Sequence, residues 1–175
     1  MPSNQSVRQS LALIENDPSK VLGLVVGKHK PTPGAYIPKA DAQSPPELDF
    51  QVPDPSKTYM VVALDIDAPF VSFDVLGPIL HWIQPGLQTT TGSLSLKATE
   101  LFVANYIGPA PPPGSGPHRY VFFLYEQPNG FEGKKYAPPN GANLSNWHRM
   151  RYSLDAWEKE AKLGPVVAVN YFKSN

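Results

Sequence analysis

The twelve residues "KTYMVVALDIDA", 57–68, decide the fold class. An aromatic, then aliphatic and β-branched residues, run unbroken between Ser56 and Pro69, which is the signature of a buried strand. The run ends on two carboxylates. Strand periodicity is two, so Tyr59, Val61, Ala63, Asp65 and Asp67 are expected on one face. Successive same-face side chains lie roughly 7 Å apart, too far to share a proton but near enough to line one pocket. Taken alone, the pair reads more readily as a turn capped by Asp67 beside a solvated Asp65.

Working outward, "PILHWIQ" (78–84), "ELFVANYI" (100–107), "RYVFFLYEQ" (119–127) and "PVVAVNYFK" (165–173) read as further strands, with Gly, Pro, Ser and Thr between them. Shorter β-type stretches, "VLGLVVG" (21–27) and "ELDFQV" (47–52), flank a segment, 31–46, that reads as a surface loop. Residues 6–16 carry apolar side chains at helical spacing and should stop before Pro18. "LDAWEKEAKLG" (154–164) reads as an amphipathic helix, with Ser153 or Asp155 as N-cap, Glu158 and Lys162 as an i,i+4 pair, and Gly164–Pro165 as the stop. The pattern predicts a mostly β protein, an antiparallel β-sandwich with a few peripheral α-helices. Residues 1–175 form one expected domain, with 1–20 as an N-terminal helical segment.

Composition narrows the function. Fifteen basic residues balance fifteen acidic ones, so no global field steers the chain to nucleic acid or to an anionic membrane. There is no cysteine, which removes disulfides, thiolate metal sites and thiol nucleophiles. The opening "MPSNQSVRQS" lacks the basic and apolar regions of a secretory signal, and no stretch of eighteen apolar residues occurs. A soluble, cytoplasmic monomer without stable membrane insertion is expected. The 21 prolines among 175 residues exceed the usual share near 5%, but they are interleaved with strand-like runs and punctuate loops. Trp82, Trp147 and Trp157 read as packing residues, and "HRMRY" (148–152) as a solvated or carboxylate-paired edge.

Two further segments could share a pocket with the aspartates. In "GPILHWIQPG" (77–86), His81 alternates onto a face with Ile79 and Ile83, opposite Leu80 and Trp82. That is a poor place for a solvated charge, and a nearby carboxylate would fix its tautomer and raise its pKa. In "GPAPPPGSGPHRYVFFLYEQP" (108–128), a stiff proline run is bracketed by glycines before a strand on which His118, Tyr120 and Phe122 share one face and Arg119 points to the other. Glycines in such a loop let backbone N–H groups approach an anion.

Together, "DIDAP", "LHW" and "GPAPPPGSGPHRYVFFLYEQ" resemble the ordered motifs of the phosphatidylethanolamine-binding protein family, in the style of its fungal members and over about Leu22 to Phe172. The resemblance implies a PEBP-like β-sandwich with a small anion pocket near one end. Its lining would be Asp65, Asp67, Pro69, His81, Gly108, Ala110, Pro111, His118 and Tyr120, with Arg119 as structural support bracing the "DIDAP" turn. The aspartates would orient and charge His81 and His118, which would cradle the anion with the Tyr120 hydroxyl and loop N–H groups. Departures from the family pattern are Ile66 in place of a proline, Ala110 in place of a glycine, Gly77–Pro78 where an acid is common, and Ile79 in place of an aromatic. The chain's end at Asn175 implies a more open site, because many relatives continue beside the pocket.

The resemblance implies a non-catalytic regulatory protein that binds phosphate-ester or phospholipid head groups, needs no cofactor or metal, and modulates a serine carboxypeptidase, in the manner of a carboxypeptidase Y inhibitor, or a kinase. The N-terminal helix is a candidate contact element for inhibition. The competing class is a hydrolase or phosphatase using the Asp/His pocket with Ser115. Asp65, Asp67, His81 and His118 could in principle be metal ligands, but a His–Asp pair explains them without a cation.

Overall fold

A computed structural model describes residues 4–70, 76–90 and 92–175. Its elements run α1 (Gln5–Asn16), β1 (Gly23–Val25), β2 (Ala35–Tyr36), β3 (Glu47–Asp49), β4 (Tyr59–Asp65), β5 (Ile79–Gln88), β6 (Ser95–Ala98), β7 (His118–Glu126), α2 (Leu154–Ala161) and β8 (Val166–Ser174). The strands form one curled eight-stranded sheet in the order β1-β3-β6-β5-β4-β7-β8-β2. All neighbours are antiparallel except β2 and β8.

β4 is buried along its whole length because both of its faces are covered. Tyr59, Val61 and Ala63 pack in one core with Leu24, Leu48, Phe122 and Phe172, where the short N-terminal strands fold back over the sheet. Met60, Val62 and Leu64 pack in the other with Phe123, Val7 and Ile14 of α1 and Trp157 of α2. The mostly β, antiparallel expectation with peripheral helices is what the fold shows, and the sandwich arises because one sheet curls over itself.

Several local expectations are corrected or refined. Residues 100–107 are not a regular strand: they make one bridge to β5, Ile83 to Ala104, and then run on beside it irregularly, the Ile107 N–H donating to His81 O at 2.9 Å. The 31–46 segment contains β2 and buried Ile37 and Ala42, so it is more than a surface loop. β6 lies in a stretch too short and polar to read as a strand. At α2, Ser153 rather than Asp155 caps the N-terminus by accepting from Ala156 N, and Lys162 in the left-handed region, not Gly164, ends it. Trp147 is 82% exposed, against the expectation that it packs.

The register of β4 and β5 matters most for the site. Ala63 pairs with Trp82 and Leu64 with Leu80, so His81 is an extra residue opposite a single step of β4. This β-bulge breaks the expected alternation. Leu80 and Ile83 both enter the helix-side core and Trp82 the other. His81 is turned against Tyr120, ring centroids 5.0 Å apart and edge to face.

Candidate functional site

The two aspartates part company where β4 ends. Asp65 Oδ2 lies 2.8 Å from His118 Nδ1, and Asp65 Oδ1 accepts from the Asp67 backbone N–H at 2.9 Å. Asp67 instead accepts three bonds from Arg119: from the backbone N–H at 2.8 Å, from Nε at 2.8 Å and from Nη2 at 2.7 Å. That two-pronged fork fixes the turn that carries Ala68 and the cis bond to Pro69.

His118 is fully buried, and both ring nitrogens are used inside the protein. Its Nε2 meets Ser115 Oγ at 2.6 Å, while that hydroxyl donates to Gly116 O at 2.9 Å. A hydroxyl has one hydrogen, so the His118–Ser115 bond takes its hydrogen from the ring, which makes His118 a double donor. Burial alone opposes that charge, but the hydrogen bond and charge of Asp65, with the charge of Asp67, outweigh it and raise the His118 pKa.

His81 is set the opposite way. Its Nδ1 donates to Ile107 O at 2.7 Å, and Nε2 takes no partner from the described residues. Burial lowers its pKa; Asp65 and the Ile107 carbonyl pull upward, and Arg149 and His118 add to the lowering. At neutral pH the ring is therefore neutral, with Nε2 as an acceptor.

His81 opens on a cavity of about 320 Å³ walled by Asp65, Pro69, Ile79, Ala110, Arg149 and others. Clefts of about 530 and 560 Å³ open elsewhere on the surface, around Glu132–Gly141 and beside Tyr152 and Trp157, but this smaller cavity is where a buried carboxylate, two buried histidines and a buried guanidinium come together. Arg149 is 1% exposed and donates only to neutral oxygens: Leu144 O from Nε at 3.2 Å, Leu80 O from Nη1 at 3.1 Å, and Asn105 O and Oδ1 from Nη2 at 3.1 and 2.6 Å. No carboxylate pairs with it among the described residues. Burial lowers its pKa, yet a guanidinium keeps its proton, so a fixed positive charge stands in the cavity wall.

Of the residues singled out from sequence, Asp65, Pro69, His81, Gly108, Ala110, Pro111 and His118 are brought to this cavity. Asp67 is not in its wall, because Arg119 holds it away. Tyr120 sits behind the wall, its buried hydroxyl close to Asp65 and Ala110 and its pKa raised by burial first and then by Asp65. Gly108 meets a packing constraint of its own: a Cβ there would lie 2.9 Å from the Ala42 backbone oxygen and 2.6 Å from Gln43 Oε1. The proline loop offers few donors, since proline has no N–H and the Ser115 N–H is taken by Pro112 O at 3.0 Å. In "HRMRY", His148 and Arg151 are exposed as expected, but the segment hides Arg149, a residue that the sequence did not single out. Its only sequence signal was charge beside aromatics. The four possible metal ligands do not gather around one point, and no group of three or more His, Asp or Glu suited to a metal occurs among the described residues.

Comparison with known proteins agrees with this geometry. The family model described as phosphatidylethanolamine-binding protein matches residues 27–172. The chain is 31% identical over 143 residues to the carboxypeptidase Y inhibitor of Saccharomyces cerevisiae, covering 74% of this chain and 65% of that protein, slightly less than two thirds of its length. It is 32% identical over 148 residues to phomoidride biosynthesis cluster protein N of Talaromyces stipitatus, covering 75% of this chain and 72% of that one. Among solved structures, a carboxypeptidase Y inhibitor complexed with its cognate proteinase superposes with a TM-score of 0.74 at 27% identity, covering 97% of this chain and 93% of that one. A phosphatidylethanolamine-binding protein from Plasmodium vivax shares the fold, with a TM-score of 0.67 at 17% identity and coverage of 99% and 98%. With its "DIDAP" turn locked by Arg119, its His118–Asp65 pair and a match over most of its length, the chain belongs to the phosphatidylethanolamine-binding protein family.

Proposed function

We propose that the chain is a non-catalytic regulatory protein whose cavity beside His81 binds a small anion of the phosphate-ester type. The observation that carries this is Arg149, a buried guanidinium in a cavity wall with no carboxylate paired to it among the described residues. An unpaired buried charge is costly and is relieved by an anion placed beside it. His81 Nε2 completes the site by taking up a proton when the anion arrives. Asp65 and Asp67 serve indirectly, by fixing His118 and Arg119. Isothermal titration with propyl phosphate tests the reading: saturable binding is expected, and none at millimolar ligand would refute it.

The proposed partner is a serine carboxypeptidase. Support comes from the yeast inhibitor and from the inhibitor–proteinase complex that shares this fold. Gln5, Arg8, Gln9 and Glu15 lie on the exposed side of α1 and are the proposed contact surface. Inhibition of carboxypeptidase Y by the full chain, weakened by Arg8→Glu with Glu15→Lys, is expected. No inhibition would remove the protease and turn the search to a kinase.

Catalysis deserves a specific answer, because Ser115, His118 and Asp65 line up as nucleophile, base and orienter would. The protons are in the wrong places. His118 donates to Ser115 and so cannot accept its proton, and the Ser115 N–H is spent on Pro112 O instead of an oxyanion. The relay is better read as a buttress for the loop. Turnover of a chromogenic ester that vanishes in Ser115→Ala would reverse this reading.

A further inference from the structure

We infer that the cleft of about 560 Å³ beside Tyr152 and Trp157 is a second binding site, separate from the anion cavity, for an uncharged, flat apolar molecule that carries a carbonyl group.

A donor without an acceptor points to it. Trp157 lines the cleft and is 5% exposed, yet its indole N–H has no hydrogen-bond partner among the described residues. A buried donor left in that state costs free energy, which an arriving acceptor recovers. The indole meets the stacked rings of Phe131 and Tyr136 at 84° and 83°. A ring face is a weaker acceptor than a carbonyl oxygen, so these contacts leave the demand largely unmet. The N–H is closed to water in the free protein, and the neighbour able to yield is Tyr136, half-buried on a segment built of 3-10 turns, Gly133–Lys135 and Pro139–Gly141.

The rest of the cleft sets the kind of molecule. Its floor is Leu80, Ile83 and Val103 of the helix-side core, and aromatic rings stand in its walls, which suits a flat apolar body. Burial, and after it the charge of Glu160, raise the Tyr152 pKa, so that hydroxyl keeps its hydrogen and brings a second donor to the wall. The wall charges are balanced and solvated: Lys135 and Glu160 are exposed, and Lys135 Nζ already donates to Glu132 at 2.8 Å. Unlike the cavity at Arg149, this wall holds no buried cation among the described residues. A carboxylate would shed its hydration on entry with only solvated charges to meet it, whereas a neutral carbonyl brings the missing acceptor at much lower cost. The volume lies in the range of small-molecule sites.

Acetophenone and benzoate share a phenyl ring and a carbonyl-type oxygen and differ in charge. The full chain is titrated with each near neutral pH, following the indole N–H signals of Trp82, Trp147 and Trp157 in proton–nitrogen correlation spectra. Acetophenone should move the Trp157 proton downfield saturably, leave the other two little changed, and bind about tenfold more tightly than benzoate or better. Propyl phosphate at saturation should not displace it. No saturable shift at Trp157 with millimolar acetophenone, benzoate binding as tightly, or displacement by propyl phosphate would each overturn the inference. The first two results leave the anion reading untouched. Trp157→Phe keeps an aromatic ring and removes the donor; acetophenone affinity, read from the amide signals of Ala104 and Leu144 in the cleft wall, should fall several-fold. Unchanged affinity in a folded variant would count against the inference, and if the variant fails to fold the wild-type comparison of ketone with carboxylate decides it.

Discussion

His118 and Asp65 form a buried ion pair at the end of β4 and β7, 2.8 Å between Nδ1 and Oδ2, with neither residue more than 3% exposed. The pair lies in the cavity wall with its polar atoms engaged inside the protein, and it holds the sheet end on which the cavity is built. Asp65→Ala leaves an uncompensated buried ring and should cost roughly 3–5 kcal/mol in urea unfolding. The folded-state pKa of His118 is raised above its ordinary 6.5, so its contribution to stability is fully present below that value and is lost as pH rises through the folded pKa. Wild-type stability should therefore fall as pH rises above 6.5, and Asp65→Asn should flatten that part of the profile.

His81 should show the reverse relation with a ligand. Its pKa is lowered in the free protein by burial first, and an anion beside Nε2 raises it in the complex. Binding then takes up a proton, and affinity falls as pH rises through the His81 pKa of the complex. Titrations in buffers of different ionisation enthalpy would measure that uptake. His81→Gln should abolish it and weaken binding about tenfold or more, while the Arg149 charge, which does not titrate, sustains the remainder.

The Arg119–Asp67 fork predicts a smaller effect. Arg119 is 39% exposed at its side chain, so solvent screens part of the interaction. Arg119→Lys keeps the charge but loses the fork, and should cost about 1 kcal/mol. Asp67→Ala should cost more, because Asp67 is buried and accepts all three bonds.

α1 is held by α2. Asp155 Oδ2 and Oδ1 accept from the backbone N–H groups of Gln5 and Ser6 at 3.1 and 3.0 Å, and Ser6 Oγ donates to Glu158. A carboxylate on the first turn satisfies donors that the helix cannot. Asp155→Ala should cost about 1 kcal/mol and raise hydrogen exchange in α1 first. Exchange that rises uniformly over β4 and β7 instead would show that α1 is not a separable unit.

The long central strands were legible because β4, β7 and β8 carry unbroken apolar and β-branched runs. Asp65, His81 and His118 were legible as members of ordered motifs. What escaped the sequence was register and long-range pairing. Alternation places Leu80 with Trp82, and only the bulge at His81 separates them. Nothing local tells that Asp67 faces Arg119 while Asp65 faces His118, since both acids share strand parity. Arg149 was hidden because its partners are carbonyls at Leu80, Asn105 and Leu144, and a carbonyl leaves no mark in a sequence.

The central claim is that the His81–Arg149 cavity binds an anion. A nitrogen-detected NMR titration with propyl phosphate, following the ring nitrogens of His81 and His118 and the Arg149 guanidinium, tests it most directly. The account predicts saturable shifts at His81 Nε2 and Arg149, with His118 little changed because both its nitrogens are occupied. Shifts confined to the cleft beside Tyr152 and Trp157, or no saturable shift at millimolar ligand, would contradict it.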